Sequence, residues 1–107
     1  PDGNPNGSGS LLTTGPYPTL HANAVSRLRA FLDALKEEGI YVNLNLKVGY
    51  QFRPAVDGVP APAGGIPTQS KPLHVFWPAM VAKQAEFTAK VLDALRLGGD
   101  PVLGLVE

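Results

Sequence analysis

Between positions 20 and 38, apolar residues recur at spacings of three and four: Val25, Leu28, Phe31, Leu32 and Leu35. Arg27, Arg29, Asp33 and Lys36 fill the other face. That period predicts an amphipathic helix, and Gly39 stands where helices commonly end in a left-handed residue. From 40 to 48 the period drops to two. Ile40, Val42, Leu44, Leu46 and Val48 alternate with Tyr41, Asn43, Asn45 and Lys47, which is the pattern of a strand. Pro78 suits the first position of a helix. Met80, Gln84, Phe87, Val91 and Leu95 then form one stripe, with Val81, Thr88 and Leu92 beside it and Lys83, Glu86, Lys90 and Asp93 on the wet face. Gly98-Gly99 ends this helix, Asp100-Pro101 turns the chain, and Val102-Leu103-Gly104-Leu105-Val106 starts a second apolar strand.

The remaining stretches lack a period. Residues 1–19 are rich in Pro, Gly, Asn and Ser and read as a loop or linker, with Leu11 and Leu12 as the only apolar pair; the domain proper spans 20–107. In the connection 49–77, Pro54, Pro60, Pro62, Pro67 and Pro72 exclude regular structure over most of the length and Gly64-Gly65 gives a turn. Connections in α/β units usually run to about 2–6 residues, and far longer ones are functional or disordered. Tyr50, Phe52, His74, Phe76 and Trp77 argue against disorder.

The order is therefore helix, strand, long loop, helix, strand, which predicts an α/β fold with a parallel sheet. The strand's polar set is unusual, because parallel strands covered on both faces tend to be apolar throughout. Asn43 and Asn45 share one face. In an open sheet they would be buried amides needing partners; in a closed barrel they would face the interior near its mouth. Two strands leave an unpaired edge, and a right-handed crossover puts the second helix on one face only. The expectation is an incomplete piece that covers its exposed surface by self-association.

Composition narrows the classes. The 107 residues are 44% hydrophobic, enough for one small ordered domain. Nine basic side chains balance nine acidic ones, so no single-sign field attracts nucleic acid or an anionic membrane. With no cysteine, disulfides, thiolate metal sites and a cysteine nucleophile are excluded, and the compartment stays open. No stretch approaches the roughly 20 apolar residues of a membrane span. Pro1-Asp2-Gly3-Asn4-Pro5-Asn6-Gly7 is not a signal peptide. A starting Met is also lacking, which leaves a processed product, an excised domain and an incomplete gene as alternatives. Asn6-Gly7-Ser8 matches the N-glycosylation acceptor pattern, a triplet common by chance.

Gly39-Ile40-Tyr41-Val42-Asn43-Leu44-Asn45-Leu46-Lys47-Val48 resembles a strand of bacterial glycoside hydrolases of the cellulase-like superfamily. The resemblance extends back through Asn23–Glu38. It continues through Phe52-Arg53, Asp57-Gly58-Val59-Pro60, Lys71-Pro72-Leu73 and the following helix to Asp100–Glu107. It implies a fragment of a (β/α)8 TIM barrel, about a quarter to a third of one. It further implies a parent that hydrolyses glycosidic bonds by a retaining two-carboxylate mechanism, without a cofactor. In such families a Val-Glu like Val106-Glu107 is followed shortly by Asn-Glu, whose Glu is the general acid/base. By this resemblance Glu107 is the earlier Glu, and the nucleophile lies on a later strand. Retaining hydrolysis needs two carboxylates about 5–5.5 Å apart, so the chain alone is expected to be inactive. Two positions depart from the pattern: Lys47 stands where many relatives have His, and Trp77-Pro78 where they have Asp-Pro.

Candidate sugar contacts follow. Asn45 and Lys47 sit at the carboxyl end of a strand, where barrels build their sites; the plainer roles are tying down the loop and solvation. Tyr50 and Trp77 suit stacking on sugar rings, or else a small core under the loop, which is also the expected role of Phe52 and Phe76. His74 is a further candidate. Arg53 and Asp57 read as a loop ion pair, in which an exposed pair contributes about 0–1 kcal/mol. His21 and His74 lack ligand spacing, so no metal site is expected. Ser26 and Ser70 lack a serine-hydrolase setting, Gly64-Gly65 is too short for a phosphate loop, and Glu37-Glu38 reads as a solvated helix end. A non-enzymatic carbohydrate-binding or assembly module using Tyr50 and Trp77 is the alternative. The sequence leaves sugar, linkage and localisation open.

Overall fold

A computed structural model describes residues 2, 3, 5, 9–47, 49–66 and 71–106. Val48, Pro67, Ser70, Glu107 and the Asn6-Gly7-Ser8 triplet lie outside the described residues. Six elements follow in order: α1 (Ala22–Glu37), β1 (Val42–Leu44), α2 (Pro54–Asp57), α3 (Lys71–Phe76), α4 (Pro78–Ala94) and β2 (Leu103–Val106). Among the described residues the fold is thus mixed α/β, with four helices and a two-stranded parallel sheet.

The two long helices form where the period predicts them. α1 buries Ala24 and Leu32 and closes through Gly39, whose φ of 70° places it in the left-handed region. There the N–H groups of Gly39 and Ile40 satisfy the carbonyls of Lys36 and Leu35. Phe31 departs from the expected stripe and is 59% exposed. α4 opens with Pro78 in its first turn and buries Met80, Gln84, Phe87 and Val91, the predicted stripe, with Leu95 buried just beyond its end.

β1 and β2 pair in parallel, with Val42 beside Leu103, Asn43 beside Leu105 and Leu44 beside Val106, and an irregularity between Val42 and Asn43. The paired stretch is shorter than the alternation of 40–48 predicts. Burial nonetheless keeps that alternation: Leu44 and Leu46 are buried while Asn43, Asn45 and Lys47 are exposed. One side of β1 therefore joins the core and the other meets water. The amides are not buried groups in need of partners, which corrects the open-sheet expectation for them.

Two other segments carry more structure than their patterns show. The 49–77 connection holds two short helices, α2 and α3, because Pro54 and Pro72 each sit in a first turn, where a missing N–H costs nothing. Residues 9–19 are largely irregular and pack onto the rest of the fold. Leu12 bridges Leu20 in antiparallel fashion, and the Thr13 N–H donates to the Thr19 carbonyl at 2.9 Å. Leu11, Leu12 and Tyr17 are buried in the same cluster as Leu32, Leu44, Leu46, Phe87, Val91 and Val102. One continuous core thus joins the amino-terminal segment, both long helices and one side of the sheet.

Candidate functional site

The segment that leaves β1 carries most of the candidate residues, and the structure separates them. Asn45 and Lys47 are exposed on the open side of the strand. Tyr50 is not: it is 3% exposed, and its ring lies 4.5 Å from Tyr17 and 5.2 Å from Phe52, centroid to centroid. Tyr17 also packs on Phe52 at 5.0 Å and on Phe87 at 5.4 Å. Tyr50 therefore takes the core alternative, its faces occupied by other aromatic rings. Phe52 is buried as expected, whereas Phe76 is 81% exposed and does not hold the loop down.

Asp57 organises this region. Its carboxylate, fully buried as a side chain, accepts the backbone N–H of Tyr17 at 2.9 Å and that of Arg53 at 2.7 Å. The Tyr50 hydroxyl donates to both oxygens, at 3.1 and 3.0 Å. The Arg53 guanidinium pairs with Asp57 at 3.2 Å, donates to Tyr50 Oη at 2.9 Å, and reaches the carbonyls of Thr14 and Gly15 at 3.0 and 2.8 Å. Burial, with the Asp57 carboxylate adding to it, pushes the Tyr50 hydroxyl up to about 12. The pairing of Arg53 with Asp57 was legible from sequence. Its partners from residues 14–17 were not, because nothing local encodes a contact forty positions away.

Trp77 is half-buried, and its indole N–H donates to the Pro60 carbonyl at 2.7 Å, which pins the Pro-rich stretch to the start of α4. His74 is also half-buried, edge-on to Phe52 at 5.2 Å. Burial holds its imidazole below the ordinary value and Lys71 works the same way, while Asp2 opposes both. Gln84, a polar residue on the apolar stripe of α4, donates to the carbonyls of His74 at 2.8 Å and Met80 at 3.1 Å. It thereby ties α3 to α4. Asn45, Lys47, His74 and Trp77 retain exposed surface and so can meet a ligand; Tyr50 cannot without unpacking the core.

Among the described residues no group of three or more His, Cys, Asp or Glu side chains is placed to hold a metal ion, and no helix is long and apolar enough to cross a membrane. The arrangement near β1 offers amide, ammonium and imidazole groups for hydrogen bonding. Comparison with protein-family models, curated proteins and solved structures finds no match.

Proposed function

We propose that this chain is a two-unit segment of a (β/α)8 barrel glycoside hydrolase, forming one wall of a carbohydrate cleft with Asn45 and Lys47 toward the sugar. The observation that carries the reading is the one-sided burial of the β1 segment, which pairs in parallel with β2. Leu44 and Leu46 join the core while Asn43 and Asn45 stand in water, as the outer and inner positions of a barrel strand would once the ring is opened. The crossover through α4 and the packing of α1 into the same core agree with helices on one side of the sheet. A non-enzymatic module loses one of its two aromatic platforms, because Tyr50 is buried.

The test is to read the coding sequence past Glu107 and express the whole frame. The expected result is an Asn-Glu within a few residues, activity on aryl glycosides, and loss of that activity when the second Glu is replaced by Gln. The 107-residue chain by itself is expected to turn over no aryl glycoside. Turnover by this chain that Glu107→Gln abolishes would show the acid to be misplaced. A frame without Asn-Glu would end the barrel reading.

A further inference from the structure

The two strands leave one side of the sheet bare. Alternation puts Tyr41, Asn43 and Asn45 on that side, all three exposed, and the register sets Leu105 of β2 beside Asn43. Gly104 belongs to the same surface. A Cβ built there would meet the Tyr41 Cβ at 3.6 Å, so the missing side chain lets the tyrosine lie close to β2. Tyr41 is 77% exposed and Leu105 55%, two large apolar groups on one small face, whereas single scattered ones are ordinary. Beside Tyr41 opens a hollow of 270 Å³ walled by Ile40, Pro101 and Val102.

The chain also carries more surface than its mass calls for. It exposes 6316 Å², whereas a folded monomer of 11.3 kDa exposes about 5700 Å². The surplus is about 600 Å² per copy, and two such surfaces laid together reach about 1,200 Å², where specific protein interfaces begin. Charge permits a second copy as the cover. Nine basic and nine acidic side chains cancel, so two chains meet without net repulsion. Tyr41, Asn43, Asn45 and Leu105 are themselves uncharged. An amide both donates and accepts, so Asn43 and Asn45 complement their own image.

We infer that a second copy of this chain packs face to face on the bare side of the sheet, with the strands of the two copies running in opposite directions and Tyr41 of each against the partner's Leu105. The contact is isologous. Inner side chains of two stacked sheets interdigitate in this way across about 10 Å. The exposed Lys47 of each copy then stands at opposite ends of the contact, so the two ammonium groups stay apart. On the barrel reading, neighbouring strands take the second copy's place in a longer chain; the contact stands without that reading.

Sedimentation equilibrium of the 107-residue chain, at concentrations up to about 1 mM, tests it. The expected mass approaches twice the 11.3 kDa of one chain and falls toward a single chain on dilution. Leu105→Glu and Asn43→Asp each bring a charge into the contact from both sides. Each is expected to weaken the dimer at least about a hundredfold, with the far-UV circular dichroism unchanged because both side chains are exposed. Phe76→Ser, on α3 and away from the sheet, is expected to leave the dimer intact. A chain that stays monomeric throughout overturns the inference, as does a dimer that survives both charges or one that Phe76→Ser disrupts. The coding sequence past Glu107 decides the barrel reading separately: Asn-Glu there with a monomeric chain keeps that reading and ends this one, and its absence with a dimer does the reverse.

Discussion

Removing the Asp57 carboxylate is the most direct way to test what holds the amino-terminal segment to the core. In Asp57→Ala, the Tyr17 N–H and the Tyr50 hydroxyl lose their acceptor inside the protein, where both contacts are buried. Each buried donor left unmade costs about 1–3 kcal/mol. The Arg53 guanidinium is 35% exposed, so water takes over its side of the ion pair and that part counts for only about 0–1 kcal/mol. The total is about 2–7 kcal/mol, a large share of the roughly 5–15 kcal/mol that holds a small domain together. Asp57→Asn keeps the shape but turns an amide N–H toward donors, at about 2 kcal/mol, and Tyr50→Phe removes a single donor at about 1 kcal/mol. Urea unfolding followed by Trp77 fluorescence and far-UV circular dichroism measures the series. With a slope of about 1.5 kcal/mol/M, Asp57→Ala moves the midpoint down by about 1–5 M. A loss under about 0.5 kcal/mol, the range of an ordinary surface change, would refute the account of Asp57 as a buried four-way acceptor.

Other outcomes follow from burial and charge. Phe87→Ala, at a position with no exposed surface, is expected to cost about 3–5 kcal/mol. Phe76→Ser, at 81% exposure, should stay within about 0.5 kcal/mol; the same urea series compares them. The Val102 N–H, and then the Arg29 guanidinium, hold the Asp100 carboxyl below its ordinary value. A carboxyl lowered in the folded state stabilises above its unfolded pKa and ceases to do so as pH falls through the folded value. The stability gap between the protein and Asp100→Asn should therefore be full at neutral pH and close below about pH 4, as read from thermal midpoints across a pH series.

What the sequence disclosed, it disclosed through period and punctuation. Spacings of three and four marked α1 and α4 because each buries one stripe, and Gly39 and Pro78 marked their ends. Alternation from 40 to 48 marked which residues of β1 face inward, even though the pairing with β2 covers only Val42–Leu44. Two kinds of structure stayed hidden. Pro54 and Pro72 looked like breakers, but a proline in a helix's first turn is as compatible with a short helix as with none. Residues 9–20 have no period, because their shape comes from one cross-bridge, Leu12 to Leu20, and from Tyr17 wedged among rings contributed by residues 50, 52 and 87. The candidate site shows the same division. Asn45 and Lys47 were visible from their place at a strand end. The contacts of Asp57 and Arg53 with residues 14–17 depend on long-range packing, so no local pattern announces them.

Arg29 has a consequence for how this chain tolerates change. Its guanidinium donates to the Leu95 carbonyl at the end of α4 at 2.6 Å, and to the carboxylates of Asp33 at 2.5 Å and Asp100 at 2.9 Å. One flat, forked cation thus fastens α1 to the last turn of its neighbour and to the bend that feeds β2. A lysine carries the same charge on a single nitrogen and cannot span three acceptors in those directions. The exchange that substitution tables rank as mildest would here unfasten three elements together.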